Sequence, residues 1–404
     1  MPTSNNKFTL FIACLITCLA VGSVYLTQSI FPLLAHSYGL PDSAGRLTFT
    51  YASIAYAIAF FVFGPWSDLL SPKKLASVGL IGSALALALA ASTSQFDYLL
   101  IALMAMGAAA AIVPAAMFAL VPRLATPQQL GSYFGLLIAA SVIGISVGRS
   151  VPSLLTGVLG WRNAFLCYAA LLALAVAIAQ KLPAANSAPS KFPAWSSLPK
   201  LYLATLELLT HARLLRLFAT GFALFFGYLG CITFLTYRLH QAPFQFDTTQ
   251  IGGIGFLGLI AILGAPLSGR LMAKTGPRKV ALGSLILVLL AIATLTMATS
   301  ASAIVTGVLL MFLGVFSCQP AIFTMISGNV PATRRGAASS LYLLTWLGAV
   351  SAASASLGTV WNQFGFQGIA ISSSAAILLA ASILLVDKFL IQPQSASTAG
   401  LAKP

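Results

Sequence analysis

Gly64-Pro-Trp-Ser-Asp-Leu-Leu-Ser-Pro-Lys-Lys74 and Gly269-Arg-Leu-Met-Ala-Lys-Thr-Gly-Pro-Arg-Lys279 lie 205 residues apart. Both open on glycine, place a proline eight positions later and close on two cations. The same displacement carries Asp42 onto Asp247, Gly131 onto Gly336 and Gly160 onto Gly365. One offset that serves four separate loops marks an internal duplication, and duplicated membrane bundles of one orientation are a transporter architecture. A substrate site is then expected between the repeats, near mid-membrane.

Outside these loops the chain is almost uniformly apolar. Of 404 residues 59% are hydrophobic and 7% charged, with a mean hydropathy of +0.97. Soluble domains carry about 25% charged residues, so most of this surface must face lipid. A bilayer core of ~30 Å needs ~20 apolar residues at ~1.5 Å each. Twelve such stretches occur: Phe8–Leu34, Leu47–Trp66, Leu75–Ala91, Tyr98–Val121, Ser132–Leu155, Asn163–Ala179, Leu217–Tyr237, Gln250–Leu271, Val280–Met297, Ala301–Ile326, Ala337–Val360 and Gly368–Val386. The expected fold is an all-α membrane protein of twelve transmembrane helices in two six-helix pseudo-repeats. The first stretch is longer than a signal core and reads as an uncleaved span.

The net charge of +15 forms no dense patch among aromatics, which argues against nucleic acid. It reports topology instead. With the N-terminus inside, 17 basic residues fall on the cytoplasmic side and three, Arg46, Arg162 and Arg238, outside. Arg149 alone lies within a span. Both termini are therefore expected in the cytoplasm, and the membrane is read as the inner membrane of a bacterium. Residues 1–180 make the first bundle, 181–216 a linker and 217–404 the second bundle with a short tail. Pro183, Pro189, Pro193 and Pro199 punctuate the linker, and Lys200 to Leu217 has the pattern of an amphipathic helix on the cytoplasmic membrane surface. The five cysteines, Cys14, Cys18, Cys167, Cys231 and Cys318, sit in apolar runs without metal-type spacing and read as packing residues.

Twelve spans, a long central loop and the Gly64-x-x-x-Asp68-…-Lys73-Lys74 loop together resemble the major facilitator superfamily over essentially the whole chain. Tyr25-x-x-Gln28-x-x-x-Pro32, Gly148-Arg149 and Gly160-Trp161-Arg162 resemble its arabinose-efflux-permease-like branch of bacterial drug exporters. The resemblance implies that the loop after span 2 latches the halves on the inside and helps to gate alternating access. Asp68 stands at the negative end of its own helix, with Lys73, Lys74 and Arg123 as available cations and the start of span 11 offering backbone N–H groups. Leu69 and Ser71 depart from the family's basic residue and glycine. The second copy keeps Gly269, Lys274, Gly276, Arg278 and Lys279 but has Ala273 in place of the acid. Loop capping together with topology charge is the competing account.

Arg149 is the most informative residue, because a guanidinium within a span is expensive and usually functional. It lies ~9 Å below the outer end of span 5 and is close enough to snorkel. With no acid inside any span, Gln28, Tyr25 or a bound anion must satisfy it. Its repeat counterpart is Ser354, so the charge belongs to one half. Gly144-x-x-x-Gly148 allows a close helix approach. Arg149 occupies the proline position of a family antiporter signature, and Pro152 follows three residues later. Gln28 and Gln319 are the amides well inside spans, Gln319 flanked by Phe316 and Phe323. Span 7 adds Tyr228, Thr233, Thr236 and Tyr237. The resemblance places spans 1, 4, 7 and 10 around the cavity, and an aromatic lining suits amphipathic small molecules. Helix packing competes with this reading. Asp42 and Asp247 fit helix N-caps, and His36 and His240 sit at outer span ends, where they read as surface residues or proton sensors.

The chain has no nucleotide-binding loop, so transport must run on gradients. The six acids, Asp42, Asp68, Asp97, Glu207, Asp247 and Asp387, all lie at span ends or in loops. Proton antiport, which normally uses an intramembrane carboxylate, therefore comes from the resemblance alone. The expected function is export of a small organic solute, sugar-like or amphipathic, by proton antiport, with a facilitator or an organic-anion exchanger built on Arg149 as the alternative. An enzyme is not expected, since the three histidines are scattered and no nucleophile–base pair is visible. A membrane sensor without flux is the remote alternative. The expected partners are a small-molecule substrate, protons and the lipid bilayer, with no nucleic acid, cofactor or metal and a monomer as working unit.

Overall fold

The computed structural model describes residues 4–28, 30–40, 42–183, 198–246, 257 and 261–391. Every element among them is helical: α1 Ser4–Val24, α2 Phe31–Ser37, α3 Asp42–Leu69, α4 Pro72–Ser92, α5 Phe96–Leu124, α6 Leu130–Leu159, α7 Trp161–Ala179, α8 Leu198–Leu206, α9 Ala212–His240, α10 Ala261–Thr275, α11 Pro277–Met297, α12 Ala301–Gly328 and α13 Arg335–Ile391. Ten stretches among the described residues are long and apolar enough to cross a membrane. Two further spans complete the twelve. The eighth, Gln250–Leu271, lies partly outside the described residues, and its second half is represented by α10. The eleventh and twelfth share α13, which breaks at Gly365 (φ 58°, ψ −151°).

The duplication is visible in the helix limits. α4 and α11 have the same length and are displaced by the same 205 residues, and both begin on proline. The missing amide of proline costs nothing at a first helical position. The caps differ. Ser71 is extended and its side chain accepts from the Lys74 amide at 3.2 Å, whereas Gly276 turns the chain with φ 86°, a conformation open to glycine. Serine at the first site is thus a working alternative to the family's glycine. Gly160 (φ 78°) separates α6 from α7 at the point where Gly365 breaks α13.

The chain divides into two compact units, Met1–Thr205 with Val330–Leu341, and Leu206–Asn329 with Tyr342–Pro404. In the first, α5 packs on α3 and α4, α1 on α6, and α4 on α7. α5 is the central helix of this unit, with 72% of its apolar window buried against 28% for the more exposed α3. Pairing repeats in the second unit, where α12 packs on α10 and α11. Helices that are apolar on all sides give no amphipathic signal, and small residues set the close approaches. Gly107 of α5, for example, lies so near the Ala52 carbonyl that a Cβ would collide with it.

Two expectations change. Span 1 is not one helix from Phe8 to Leu34: α1 stops at Val24, residues 25–28 form turns, and α2 restarts at Phe31. Pro32 explains part of this, since it cannot donate to the Gln28 carbonyl. The chain leaves α1 through tighter three-residue bonds, the Tyr25 amide donating to the Gly22 carbonyl at 3.0 Å and the Leu26 amide to the Ser23 carbonyl at 3.4 Å. The segment Lys200–Leu217 is not one helix either. α8 passes into a 3-10 turn, Glu207–Thr210, and His211 is extended (φ −76°, ψ 105°) as the cap of α9. Ala212–Arg216 therefore belongs to α9.

Candidate functional site

The first constellation lies where α6 crosses the broken end of α1. Gly144 and Gly148 bring α6 against the α1 backbone, and a Cβ at either position would overlap the carbonyl oxygen of Cys18 or Gly22. The next residue, Arg149, enters beside the 25–28 turn. Its Nε donates to Gln28 Oε1 at 2.6 Å, and its guanidinium carbon lies 5.4 Å from the Tyr25 ring centroid. Tyr25 in turn meets Phe49 of α3 at 5.2 Å. Gln28 and Tyr25 thus hold a guanidinium that remains exposed. A charge-assisted hydrogen bond and a cation–π contact fix its orientation. Pro152 lies on α6, which continues to Leu159, four residues beyond the expected end.

The second constellation is the Asp68 end of α3. Both carboxylate oxygens accept backbone amides at the start of α13, Oδ1 from Gly336 at 2.9 Å and Oδ2 from Ala337 at 3.1 Å. A helix N-terminus presents such donors together with a favourable dipole, which offsets the unfavourable position of Asp68 on its own helix. Gly64 and Gly336 make the approach feasible, since a Cβ on Gly64 would overlap Ser340 and one on Gly336 would overlap Ser67. Arg123 donates to the carbonyls of Ser67 at 3.3 Å and Asp68 at 3.4 Å, a cation at a helix C-terminus. Lys73 is half-buried and Lys74 exposed at the head of α4. In the second copy Gly269 is buried, Arg278 half-buried and Lys279 exposed, and Ala273 offers no carboxylate.

The second unit carries an aromatic group on α9, α12 and α13. Tyr228 lies 6.0 Å from Phe312 and 6.4 Å from Phe316, and Phe225 lies 6.1 Å from Trp346. Gln319 is buried on α12 just before Pro320, whose missing amide would have met the Phe316 carbonyl. Phe323 is wholly buried and packs edge-on to Tyr342 at 4.6 Å, so it belongs to the core of this unit rather than to an open lining. Thr233 is exposed, and its carbonyl accepts from the Thr236 hydroxyl. Asp42 begins α3, His36 is exposed on α2, and Asp247 and the side chain of His240 lie outside the described residues. Among the described residues no cluster of three or more His, Cys, Asp or Glu has metal-holding geometry.

Sequence reasoning treated Arg162 and Arg238 as topology charges and missed their contacts. Arg162 donates to the Thr93 carbonyl at 2.7 Å, just after α4, and stacks on Trp161 at 4.2 Å. In the other unit Arg238 donates to the carbonyls of Leu295 and Ala298, the latter at 3.0 Å just after α11, and stacks on Phe366 at 4.7 Å. Thr93 and Ala298, like Trp161 and Phe366, are equivalent under the 205-residue shift, but the arginines are not. The equivalent rings were the available sequence signal. Tyr168 and Tyr202, which bond to backbone carbonyls, left no signal of that kind.

Comparison with known proteins agrees with this architecture. The model of the Major Facilitator Superfamily matches residues 13–355 and again 244–399. Curated relatives include the uncharacterized MFS-type transporter YybF of Bacillus subtilis (strain 168), 23% identical over 348 residues, 86% of this chain and 85% of the relative. Another is the inner membrane transport protein YnfM of Escherichia coli (strain K12), 25% identical over 386 residues, 90% of this chain and 85% of the relative. Among solved structures, the human organic anion transporter MFSD10 superposes with a TM-score of 0.75 at 20% identity over 95% of this chain and all of that one. The transporter FucP in its outward conformation gives 0.75 at 16% identity over 96% of this chain and all of that one. At such identities the two structures speak for the fold. The twelve-span duplicated fold and the family match over most of the chain agree, and the protein belongs to the Major Facilitator Superfamily.

Proposed function

We propose that this transporter moves a small organic anion across the membrane by alternating access, with Arg149 receiving the anionic group. The observation that carries this reading is an exposed guanidinium on a span, oriented by Gln28 and Tyr25 beside the break in span 1. Interrupted helices mark binding sites in secondary transporters, and the six acids of this chain all lie at span ends or in loops. An exposed guanidinium held in one orientation matches the planar, two-oxygen head of a carboxylate or similar anionic solute. The topology that goes with this reading has both termini in the cytoplasm and the protein in a bacterial inner membrane. The Asp68 contact with the start of α13 serves as the cytoplasmic latch, made and broken in each cycle. A second reading, export of an amphipathic compound by proton antiport, is favoured by the aromatic group around Tyr228.

Thermal unfolding of purified wild type, Arg149→Ala and Arg149→Lys against anionic, neutral and cationic compounds separates the two. A ligand at ~100 times its dissociation constant stabilises by ~2.7 kcal/mol. Organic anions are expected to protect wild type, protect Arg149→Lys weakly and leave Arg149→Ala unprotected. Equal protection of all three proteins by neutral or cationic amphiphiles, with none by anions, would refute the anion reading and move attention to Tyr228.

A further inference from the structure

The linker presents two faces of opposite character. On its inner face Tyr202 donates its hydroxyl to the Val62 carbonyl at 2.9 Å, and its ring lies 6.1 Å from Phe61 of α3. Ala204 and Thr205 help to wall a small cavity with Pro65, Asp68, Arg334 and Ala337. The outer face is a leucine row. Leu203 is 65% exposed, Leu206 45% and Leu209 38%, every third residue along α8 and the turn that continues it. Lys200 before this row and Arg213 after it are exposed, and Glu207 is the single acid between them.

In water such a row would be a liability. Beside cations at a bilayer surface it has the composition of an interfacial helix, apolar side in the acyl boundary and basic residues at the headgroups. Chain connectivity places it at that depth. His211 alone separates the turn from α9, whose stretch Ala212–Leu239 is a candidate span, and Leu215 in its first turn is 50% exposed. We propose that the outer face of α8 and the following turn is a docking surface for anionic lipid, with the leucines seated among acyl chains and Lys200 and Arg213 on phosphate headgroups. Tyr202 holds α8 in register for that contact. Because Val62 and Asp68 share the end of α3, lipid bound on the outside bears on the helix that carries the Asp68 contact within the first unit.

Hydrogen exchange of the full-length protein in nanodiscs tests this directly. Discs of phosphatidylcholine are compared with discs in which about a third of the lipid is phosphatidylglycerol. Backbone amides of residues 198–210 are expected to exchange about fivefold more slowly for each basic residue held at the anionic surface, while Thr93–Gln95 at the opposite end of α4 stays unchanged. The variant Lys200→Gln/Leu203→Ser/Leu206→Ser/Arg213→Gln, which removes both cations and two of the leucines, is expected to exchange alike in both discs. Identical exchange of wild type in the two compositions would overturn the proposal, and so would retained lipid protection in the variant. Protection by inorganic phosphate in phosphatidylcholine discs would overturn it as well, because it would assign the site to a soluble anion.

Discussion

Replacing Gly148 by alanine tests the α1–α6 contact and the candidate site in a single step. The added Cβ would fall on the Gly22 carbonyl, so the two backbones must part by about an ångström to restore ordinary contact. Overpacking of this kind costs ~1–3 kcal/mol. The Arg149–Gln28 bond, 2.6 Å long, would be stretched beyond hydrogen-bond range by the same movement, and a bond to a charged group contributes ~1.5–3 kcal/mol. These terms share one displacement and do not add in full, so a net loss of at least ~2 kcal/mol is expected. Gly157, on the same helix, is the internal control. It is exposed and a Cβ there meets nothing within 4 Å, so Gly157→Ala should gain ~0.5–1 kcal/mol from helix propensity. Thermal unfolding of the two variants in one detergent should therefore shift in opposite directions. Binding of the protective anion should weaken in Gly148→Ala and persist in Gly157→Ala. Equal stability of the two variants would refute the close approach and, with it, the mechanism that orients Arg149.

Two further substitutions probe the ends of the helices. Asp68→Asn keeps one acceptor for the start of α13 and loses the other, so it should cost ~1.5–3 kcal/mol in thermal unfolding; an unchanged midpoint would mean that the carboxylate contributes nothing beyond its neutral isostere. Arg238→Ala should destabilise by a similar amount, because it strips two carbonyls at the end of α11. Adding Gln367→Arg, the residue equivalent to Arg162, should restore much of that loss, and failure to restore it would show that the acceptor alone does not define the clamp.

The spans were legible because lipid leaves few ways to build one: backbone groups must pair within the helix, so each crossing writes a long apolar run. The duplication was legible because loops, unlike spans, carry distinctive glycine, proline and charge. Less came through where a backbone carbonyl is the partner. Arg162, Arg238, Tyr168 and Tyr202 all bond to main-chain oxygens, which have no letter in the sequence. The break in span 1 had a visible sign in Pro32, but hydropathy runs straight through it. Phe323 shows the limit of periodicity. Spacing placed it near the face of Gln319, whereas Tyr342, distant in sequence, covers it. For Arg149 the sequence supplied both the residue and its candidate partners, Gln28 and Tyr25, and the structure adds the distances.

The two arginine clamps also bear on how the halves diverged after duplication. The acceptors at Thr93 and Ala298 stayed at equivalent positions, as did the rings of Trp161 and Phe366, while the donor came from α7 in one half and α9 in the other. Both halves thus offer carbonyls to a cation at equivalent helix ends, and each half meets that need from a different neighbouring helix. Aligning the halves letter by letter would score Arg162 against Gln367 and Arg238 against Leu33 as drift. Inheritance here is of a chemical need, and its trace lies in the acceptor.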